Sequence, residues 1–421
     1  MKNSNQTIGI VAANHTGYIK ALFSYMEAGN VAVPLRNEKD QYRIKATQVR
    51  KIISPEPDGA WMAPDFKAPD TDNVALVAFT SGTTGNPKGV ILSHTNLSNV
   101  ITRLNTLMQL NGNIREYIGI PVYHSFGLGR CRAVAAVGGQ FFIPHLFRPA
   151  EIGDMLKKGS INAISAVPDL WRILLTNKDL IGQYGKRVQW IEIGSQYMNQ
   201  KEKETLKALF PNAIIVQHYG LTEASRTTLL EIHEEKGDKL ESVGQATDTV
   251  EIKLTATQNI AIKGPHVAQA YIVDGQKISL KNKDGWLVTQ DLGSIRNNYL
   301  YYEGRSDDII NYGGIKISPA LLENKIYEKL DCKDGLAICR NTESSHREGF
   351  LVAVTQEINI KKRDLHKLVS QALREFGVSA FNSITVIEVT HLPRTVSGKI
   401  QRRKLSSRIK QLSRTTKTNT R

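Results

Sequence analysis

Long uncharged stretches and cysteines are both scarce in this chain. No apolar run reaches the roughly 18 to 20 residues that a membrane-spanning helix requires, and the N-terminus lacks the charged, apolar and small-residue pattern of a cleaved signal. Cys131, Cys332 and Cys339 have neither CxxC spacing nor a partnered histidine motif. We therefore expect no disulfide framework, no zinc site and no membrane span, in a protein of the cytoplasm.

The charge balance leaves two interpretations open. With a net charge of +15 and a basic tail from Arg402 to Arg421, the excess could be a solvated surface or could attract anionic partners such as ATP, a pantetheine thiol or an acidic acyl carrier protein. The sequence has no zinc finger, basic zipper or aromatic RNA-recognition motif, so we do not expect nucleic acid as a partner.

Hydrophobic patterning predicts an α/β protein with two domains. At 421 residues and 41% hydrophobic content, the chain is long enough for a large core and a second small domain. Short apolar runs alternate with segments of helical spacing, which predicts a layered α/β core. The predicted strands are Thr7–Ala13, Val31–Leu35, Val74–Thr80, Tyr117–Pro121, Ala163–Val167, Val188–Ile193 and Ala213–Gln217, and the predicted helices are Tyr18–Ala28 and Asn96–Met108.

The pattern changes in the last third of the chain. Short β segments punctuated by Gly and Asp run from Val243 to Tyr302 and predict a β-rich subdomain. A new α+β pattern then follows, with helices near Pro319–Lys329 and Lys362–Glu375 and a strand at Gly349–Thr355. We therefore predict a large domain over residues 1–305 and a small C-terminal domain over residues 306–421.

The strongest local signal is the segment from Phe79 to Val90. It follows an apolar strand and combines three glycines, four hydroxyl side chains and one lysine, Lys88. Glycines admit close backbone approach, hydroxyls and amides donate hydrogen bonds, and lysine neutralises charge, so the segment is suited to phosphate. It is not a Walker A loop, because Gly89 stands where that loop has Ser or Thr after the lysine. The alternative is a flexible hairpin loop.

Further motifs extend the pattern and together resemble the adenylate-forming superfamily of acyl-CoA synthetases, aryl-acid ligases, nonribosomal-peptide adenylation domains and luciferases. The chain looks closest to a short acyl- or aryl-acid ligase. The motifs are Pro121–His124, Tyr219–Glu223, Ser242–Gly244, Asp291–Gly293, Gly304–Arg305, Gly313–Ile317 and Leu392–Lys399.

The resemblance implies ATP and Mg²⁺ as cofactors and assigns residues to the nucleotide. Tyr219 would offer its ring to adenine, Asp291 would accept the ribose hydroxyls, and Arg305 would add a ribose or phosphate contact. On residue type alone, Asp291 could equally cap a turn. The implied nucleotide-binding residues are Thr80, Ser81, Gly82, Thr83, Thr84, Lys88, Tyr219, Gly220, Asp291 and Arg305.

The same resemblance implies the catalytic groups. Thr222 would contact the α-phosphate, Glu223 would hold magnesium, and Lys399 would bridge the carboxylate and the α-phosphate during adenylation. Asp307 occupies the hinge position about which the small domain would rotate. On composition alone, Lys399 would be one more surface lysine.

For the acid and the thiol, the resemblance is less specific. His124 would be a catalytic residue and would wall the acid pocket together with Gly194, Ser195, Gln196 and Tyr197, and no aspartate stands nearby to pair with an amino-acid ammonium group. We therefore expect an unsubstituted or aryl acid of small or medium size. Gly313, Gly314 and Lys316 would face the thiol acceptor, which is coenzyme A or a phosphopantetheine on a carrier protein.

The family pattern also leaves alternatives. Only 79 residues precede Thr80, fewer than in typical relatives, so we expect the opening part of the large domain to be shortened, with the missing surface either covered by a partner subunit or left open. The sequence does not fix the oligomeric state. The leading hypothesis is acyl-AMP formation followed by transfer to a thiol. The alternatives are a luciferase-like oxygenase and a non-catalytic nucleotide-binding homologue.

Overall fold

A computed structural model describes residues 6–80, 87–330, 332, 334–341, 348–395 and 400–409. In chain order the helices are α1 (Thr16–Glu27), α2 (Gln41–Thr47), α3 (His94–Met108), α4 (Ser125–Ala136), α5 (Pro149–Lys158), α6 (Pro168–Thr176), α7 (Gln200–Leu209), α8 (Pro319–Leu330) and α9 (Lys362–Glu375).

The strands up to residue 231 are β1 (Thr7–Val11), β2 (Val31–Leu35), β3 (Lys51–Ile53), β4 (Trp61–Met62), β5 (Val74–Thr80), β6 (Lys88–Ser93), β7 (Arg115–Ile118), β8 (Gln140–Phe142), β9 (Ala163–Ala166), β10 (Trp190–Gly194), β11 (Ile214–Tyr219) and β12 (Thr228–Glu231). Those that follow are β13 (Gln245–Ala246), β14 (Glu251–Leu254), β15 (Asn259–Lys263), β16 (Ala270–Val273), β17 (Gln276–Ser279), β18 (Leu287–Arg296), β19 (Tyr299–Arg305), β20 (Ile310–Tyr312), β21 (Ile315–Ile317), β22 (Leu336–Asn341), β23 (Gly349–Val354) and β24 (Ile384–Glu388).

Two large sheets carry most of these strands in the described part of the chain. One has the order β17-β16-β6-β5-β2-β1-β3, and the other has the order β13-β12-β11-β10-β9-β7-β8-β4. In the second sheet β8, β7, β9, β10 and β11 run parallel, whereas β12 and β13 add antiparallel pairs at one side. β9 and β10 are buried along their whole length, as strands of a parallel sheet covered on both faces are.

Smaller sheets form among the remaining described strands. Their orders are β14-β15-β18-β19, β20-β21 and β22-β23-β24. The predicted α/β class is therefore confirmed, and its β-rich stretch between residues 243 and 302 contains strands throughout.

Two compact units divide the chain. The first comprises residues 1–253, 261–288 and 295–301, and the second comprises residues 254–260, 289–294 and 302–421. The first unit has an apolar core that includes Tyr117, Trp171 and Phe210, and the second has a core that includes Ile338 and Phe350. The predicted domain boundary after residue 305 remains a prediction.

Helix α4 lies in the stretch between two predicted strands where helical spacing was expected, but the sequence did not predict its bounds. Residues 126–135 of this helix are all buried, so it lacks the polar stripe by which a surface helix is recognised. Elsewhere the observed bounds differ by a few residues: α3 begins at His94 rather than Asn96, and β7 covers Arg115–Ile118 rather than Tyr117–Pro121. No helix in the described ranges combines the length and apolar character needed to cross a bilayer.

The start of α3 is fixed by a capping box. The Ser93 hydroxyl accepts from the amide of Asn96 at 3.1 Å, and the Asn96 side-chain oxygen accepts from the amide of Ser93 at 2.9 Å. The Asn96 amide group also donates to the carbonyls of Pro265 and Val267 at 2.7 and 3.1 Å. Asn96 therefore joins the helix start to the segment that leads into β16.

Replacing Asn96 with Ala should cost more stability than replacing Ser93 with Ala. Loss of the serine cap should lower the free energy of unfolding by about 1 kcal/mol. The asparagine change also leaves two partly buried carbonyls without donors, so we expect about 2–4 kcal/mol. Chemical denaturation followed by circular dichroism measures both, with the exposed neighbour Thr95→Ala as control. Equal effects of Asn96→Ala and Thr95→Ala would contradict the prediction.

Candidate functional site

Lys88 opens the second strand of a hairpin. β5 and β6 are antiparallel, and Thr80 at the end of β5 is the register partner of Lys88. The Thr80 hydroxyl donates to the Lys88 carbonyl at 3.5 Å. The predicted phosphate-loop residues Ser81, Gly82, Thr83 and Thr84 lie outside the described residues. Lys88 therefore stands at the strand end that follows the predicted loop.

Tyr271 brings Lys88 and Glu223 into one neighbourhood. The Lys88 ammonium lies 5.4 Å from the centroid of the Tyr271 ring, and the Tyr271 hydroxyl donates to Oε1 of Glu223 at 2.8 Å. Burial and the Glu223 charge raise the pKa of Tyr271 well above its usual range, so the phenol keeps its proton and remains a donor at neutral pH. Sequence reasoning missed Tyr271, because it lies in a strand without a recognisable motif.

The loop that carries Thr222 and Glu223 is a tight turn after β11. Glycine is required at position 220, since a Cβ there would lie 2.5 Å from the amide nitrogen of Arg226. The backbones of Leu221 and Ala224 exchange hydrogen bonds of 3.0 and 3.2 Å, and the Glu223 carbonyl accepts from the Ala268 amide at 2.8 Å. Tyr219, the last residue of β11, is 8% exposed. The loop is thus anchored on both sides of the Glu223 carboxylate.

The residues around Glu223 fit a magnesium ion that takes most of its ligands from phosphates and water. In the described part of the chain no cluster of three or more His, Cys, Asp or Glu side chains could hold a metal. Glu223 Oε2 accepts no hydrogen bond from any described residue, whereas Oε1 is occupied by Tyr271. Mg²⁺ is commonly held through one or two carboxylates together with substrate phosphates.

The predicted acid-pocket residues lie just before α4 and at the end of β10 and beyond it. His124 is the residue before α4, and its Nε2 is buried without a partner among the described residues. Burial lowers the pKa of His124, so its imidazole is neutral at pH 7. Gly194 ends β10, and Ser195 has a left-handed backbone with φ of 77°.

The side chains of Gln196 and Tyr197 form hydrogen bonds with carboxylates of the protein. The Gln196 side-chain amide donates to Oδ2 of Asp169 at 2.9 Å, and the Tyr197 hydroxyl donates to Glu241. These two side chains are therefore held by carboxylates.

Beneath these residues lies a buried ion network that sequence reasoning missed. Glu192, in the middle of β10, accepts from Arg226 at 2.7 and 3.1 Å and from Arg130 at 3.0 Å. Arg130 is also paired with Glu116 through hydrogen bonds of 2.8 and 2.6 Å. The four side chains are at most 1% exposed, and their two positive and two negative charges cancel. A lone glutamate inside the apolar run of β10 was the signal that could have revealed it.

His218 completes this network at the end of β11. Its Nδ1 lies 2.6 Å from Oε1 of Glu192, and its ring meets the Phe126 ring edge-on with centroids 4.6 Å apart. Burial lowers the pKa of His218 despite the opposing Glu192 charge, so the ring is neutral. For Glu192, burial alone would raise the pKa, but Arg226, His218 and Arg130 hold it well below its usual range.

The remaining predicted residues belong to the second unit. Asp291 in β18 is 4% exposed, and the Arg305 guanidinium lies 3.3 Å from Asp291 and 3.0 Å from Asp307. Gly313 and Gly314 form the turn between β20 and β21 with positive φ, and Lys316 is exposed in β21. Lys399 lies outside the described residues.

Replacing Glu192 with Gln should destabilise the protein by about 3–5 kcal/mol, because it leaves two buried guanidiniums with one carboxylate. The exposed Glu234→Gln is the control. Since the folded-state pKa of Glu192 is depressed from 4.5, its contribution is present above that pH and is lost as the pH falls toward the folded value. The difference between the two proteins in chemical denaturation should therefore shrink below pH 4.5. An equal effect of both substitutions at pH 7 would refute the prediction.

Comparison with known proteins finds a matching family model and several similar ligases. A family model described as "AMP-binding enzyme" matches residues 43–272. The chain is 28% identical over 355 residues to a 2-succinylbenzoate–CoA ligase of Listeria monocytogenes, covering 82% of this chain and 73% of that protein. It is 24% identical to 4-coumarate–CoA ligase 3 of Arabidopsis thaliana, covering 80% and 64%.

Solved structures share the fold. ATP-bound MatB from Rhodopseudomonas palustris has a TM-score of 0.79 at 22% identity, covering 96% of this chain and 89% of that one. The o-succinylbenzoate CoA synthetase MenE from Bacillus subtilis, in complex with its acyl-adenylate intermediate, has a TM-score of 0.79 at 21% identity, covering 96% and 88%. The family predicted from the motifs is confirmed. Because the family match spans more than half of the 421 residues, the chain belongs to the AMP-binding enzymes.

Proposed function

We propose that the protein uses ATP to activate a carboxylic acid as acyl-AMP and then transfers the acyl group to a thiol. In the first step a carboxylate oxygen attacks the α-phosphorus, the bond to the β-phosphate breaks, and pyrophosphate leaves. In the second step the thiolate attacks the acyl carbonyl and AMP leaves. The observation that carries the proposal is the convergence of Lys88, Tyr271 and Glu223 at the end of the predicted phosphate loop.

Different residues of the first unit bind different parts of the ATP. Lys88 neutralises phosphate charge as the reacting anions approach, and the hydroxyls and amides that begin at Thr80 donate to the phosphate oxygens. Thr222 contacts the α-phosphate from the anchored loop after β11, and Tyr219 and Gly220 border the adenine. Magnesium, held by Glu223, would neutralise the phosphates and favour departure of pyrophosphate.

Other residues orient the nucleotide and the acid. Asp291 accepts the ribose hydroxyls while Arg305 fixes the direction of its carboxylate. Neutral His124 closes one side of the acid beside Gly194 and Ser195, so it exerts no charge attraction on a distal group of the substrate. Lys399 draws the acid carboxylate and the α-phosphate together. Rotation about Asp307 then exchanges Lys399 for the segment that contains Gly313, Gly314 and Lys316.

Coenzyme A and a carrier-protein phosphopantetheine share the same thiol chemistry. The two relatives compared above are named as ligases of coenzyme A, which supports that acceptor for this chain. The net charge of +15 would favour the phosphates of coenzyme A or an acidic carrier protein alike. A reaction that consumes ATP and coenzyme A favours a location in the cytoplasm.

The direct test is pyrophosphate release over a panel of aliphatic, aryl and amino acids with ATP and magnesium. It is followed by thioester analysis with coenzyme A or with a phosphopantetheinylated carrier. We expect release with at least one unsubstituted or aryl acid, weak release with amino acids, and thioester with one acceptor. If no acid of any class causes pyrophosphate release, the result would instead support a non-catalytic nucleotide-binding protein. Emission of light or consumption of oxygen would support an oxygenase.

Tyr271→Phe should raise the magnesium concentration needed for half-maximal pyrophosphate release by about 10- to 100-fold. The reason is that a hydrogen-bond partner that orients a metal-binding carboxylate is lost. Tyr299→Phe is the matched control, since it removes a hydroxyl that donates to another glutamate, Glu235. An unchanged magnesium requirement in folded Tyr271→Phe would exclude this role for Glu223.

Lys399→Ala should abolish acyl-AMP formation and spare thioester formation from acyl-AMP supplied in advance, because the lysine acts only while the two anions are joined. The neighbouring Lys404→Ala should leave both half-reactions unchanged. Single-turnover assays of each half-reaction measure the effect. Equal loss of both half-reactions in a folded Lys399→Ala protein would exclude the alternating mechanism.

A further inference from the structure

One arginine of the first unit is buried without a counter-ion among the described residues. Arg132, in α4, is 4% exposed, and its guanidinium forms no hydrogen bond and no ion pair with any other group that the structure describes. Burial and, second to it, the charge of Arg226 lower the pKa of Arg132 to about 9, so the side chain is still positively charged at pH 7. A buried charge without a partner is strongly unfavourable in a protein interior.

The other buried arginines of α3 and α4 have the partners that Arg132 lacks. Arg130, in the same helix, is paired with Glu116 and Glu192. Arg103, in α3, has no carboxylate partner in the described part of the chain, but it donates to two side chains and one carbonyl at 2.9 to 3.0 Å. Arg132 has neither kind of partner, so its charge is left without compensation by the described protein groups.

The His94 ring lies within the electrostatic reach of Arg132. His94, the first residue of α3, is 1% exposed, and its Nδ1 is buried without a hydrogen-bond partner among the described residues. Burial and, second to it, the charge of Arg132 lower the pKa of His94, so the ring is neutral. A neutral imidazole can carry its proton on Nδ1 and donate it. Two buried groups with unused donors are therefore neighbours.

These two groups lie away from the residues predicted to bind ATP and the acid. β6 begins at Lys88 and ends at Ser93, directly before His94. At about 3.3 Å per strand residue, the backbone of His94 is roughly 20 Å from that of Lys88. In α4, Arg132 is about 12 Å along the helix axis from the N-cap residue His124. Neither the phosphates of ATP nor the carboxylate of the acid would therefore neutralise Arg132.

We propose that Arg132 binds a small monovalent inorganic anion of the size of chloride inside the folded first unit, with the His94 ring as a second donor. One such anion cancels one uncompensated guanidinium. A spherical ion also accepts N–H donors from any direction, which suits donors that come from two different helices. A buried phosphate would add a second negative charge and further lone pairs that need donors of their own. The site is independent of the activity proposed above.

The test is the dependence of folding on chloride. Urea denaturation of the whole chain is followed at constant ionic strength while chloride replaces gluconate, which is too large for a buried site beside one guanidinium. The proteins are the unmodified chain, Arg132→Met and Arg50→Met. The first substitution removes the buried charge and keeps an unbranched apolar side chain, and the second removes an exposed arginine of the same unit as a matched control.

In the unmodified protein and in Arg50→Met, the folding equilibrium constant should rise about tenfold for each tenfold rise in chloride above the dissociation constant. The reason is that one anion binds the folded state and none binds the unfolded state. Arg132→Met should lose this dependence. In gluconate it should be at least as stable as the unmodified protein, because an uncompensated buried charge is replaced by an apolar side chain.

A second measurement needs no variant and decides the question if Arg132→Met fails to fold. In crystals of the unmodified protein soaked in bromide, an anomalous peak should lie in contact with the Arg132 guanidinium. Density for water alone at this place would overturn the proposal. So would a folding constant of the unmodified protein that is the same in chloride and gluconate, or an equal chloride dependence of Arg132→Met and Arg50→Met.

Discussion

A single buried carboxylate organises the first unit. Glu192 lies in β10, an internal strand of a parallel run, where an isolated charge would be far too costly. Arg226 and Arg130 therefore have to reach it, and Glu116 balances the second guanidinium. These groups come from β10, from the segment after β11, from α4 and from β7. One electrostatic requirement thus fixes the relative positions of two strands, a helix and a loop, with no net charge left over.

The need to pair Glu192 also affects the loop after β11 that carries Glu223, because Arg226 packs against that loop. The backbone of Arg226 leaves no room for a side chain at Gly220, so glycine is required where the chain turns after β11. That turn places Glu223 where its carbonyl accepts from Ala268 and its carboxylate accepts from Tyr271. The predicted metal ligand is therefore positioned by backbone contacts around an arginine whose side chain is committed to Glu192. Breaking the buried pair would be expected to disturb the loop as well as the fold.

Features formed by adjacent residues could be predicted from the sequence, whereas contacts between residues far apart in the chain could not. The phosphate loop and the Tyr219–Glu223 segment are contiguous, so their chemistry is visible in a few adjacent residues. The contacts Arg130–Glu192 and Tyr271–Glu223 join residues 62 and 48 positions apart, and no local pattern pairs them. The bounds of helix α4 were not predicted for a related reason, because burial on all sides and two internal arginines hide its period. His218, inside an apolar strand, looks like an ordinary core histidine in the sequence, and its contact with Glu192 is visible only in the structure.

In the second unit, two carboxylates also share one guanidinium. Arg305 contacts both Asp291 and Asp307, the residues proposed for the ribose and the hinge, and Asp307 also lies 3.5 Å from Arg403. Because Arg305 is about one-third exposed and Asp291 is buried, the Asp291 side of this arrangement is less screened by solvent than the Asp307 side. If Asp291 binds the ribose and residue 307 is the hinge, as proposed above, the two sites share one guanidinium, that of Arg305.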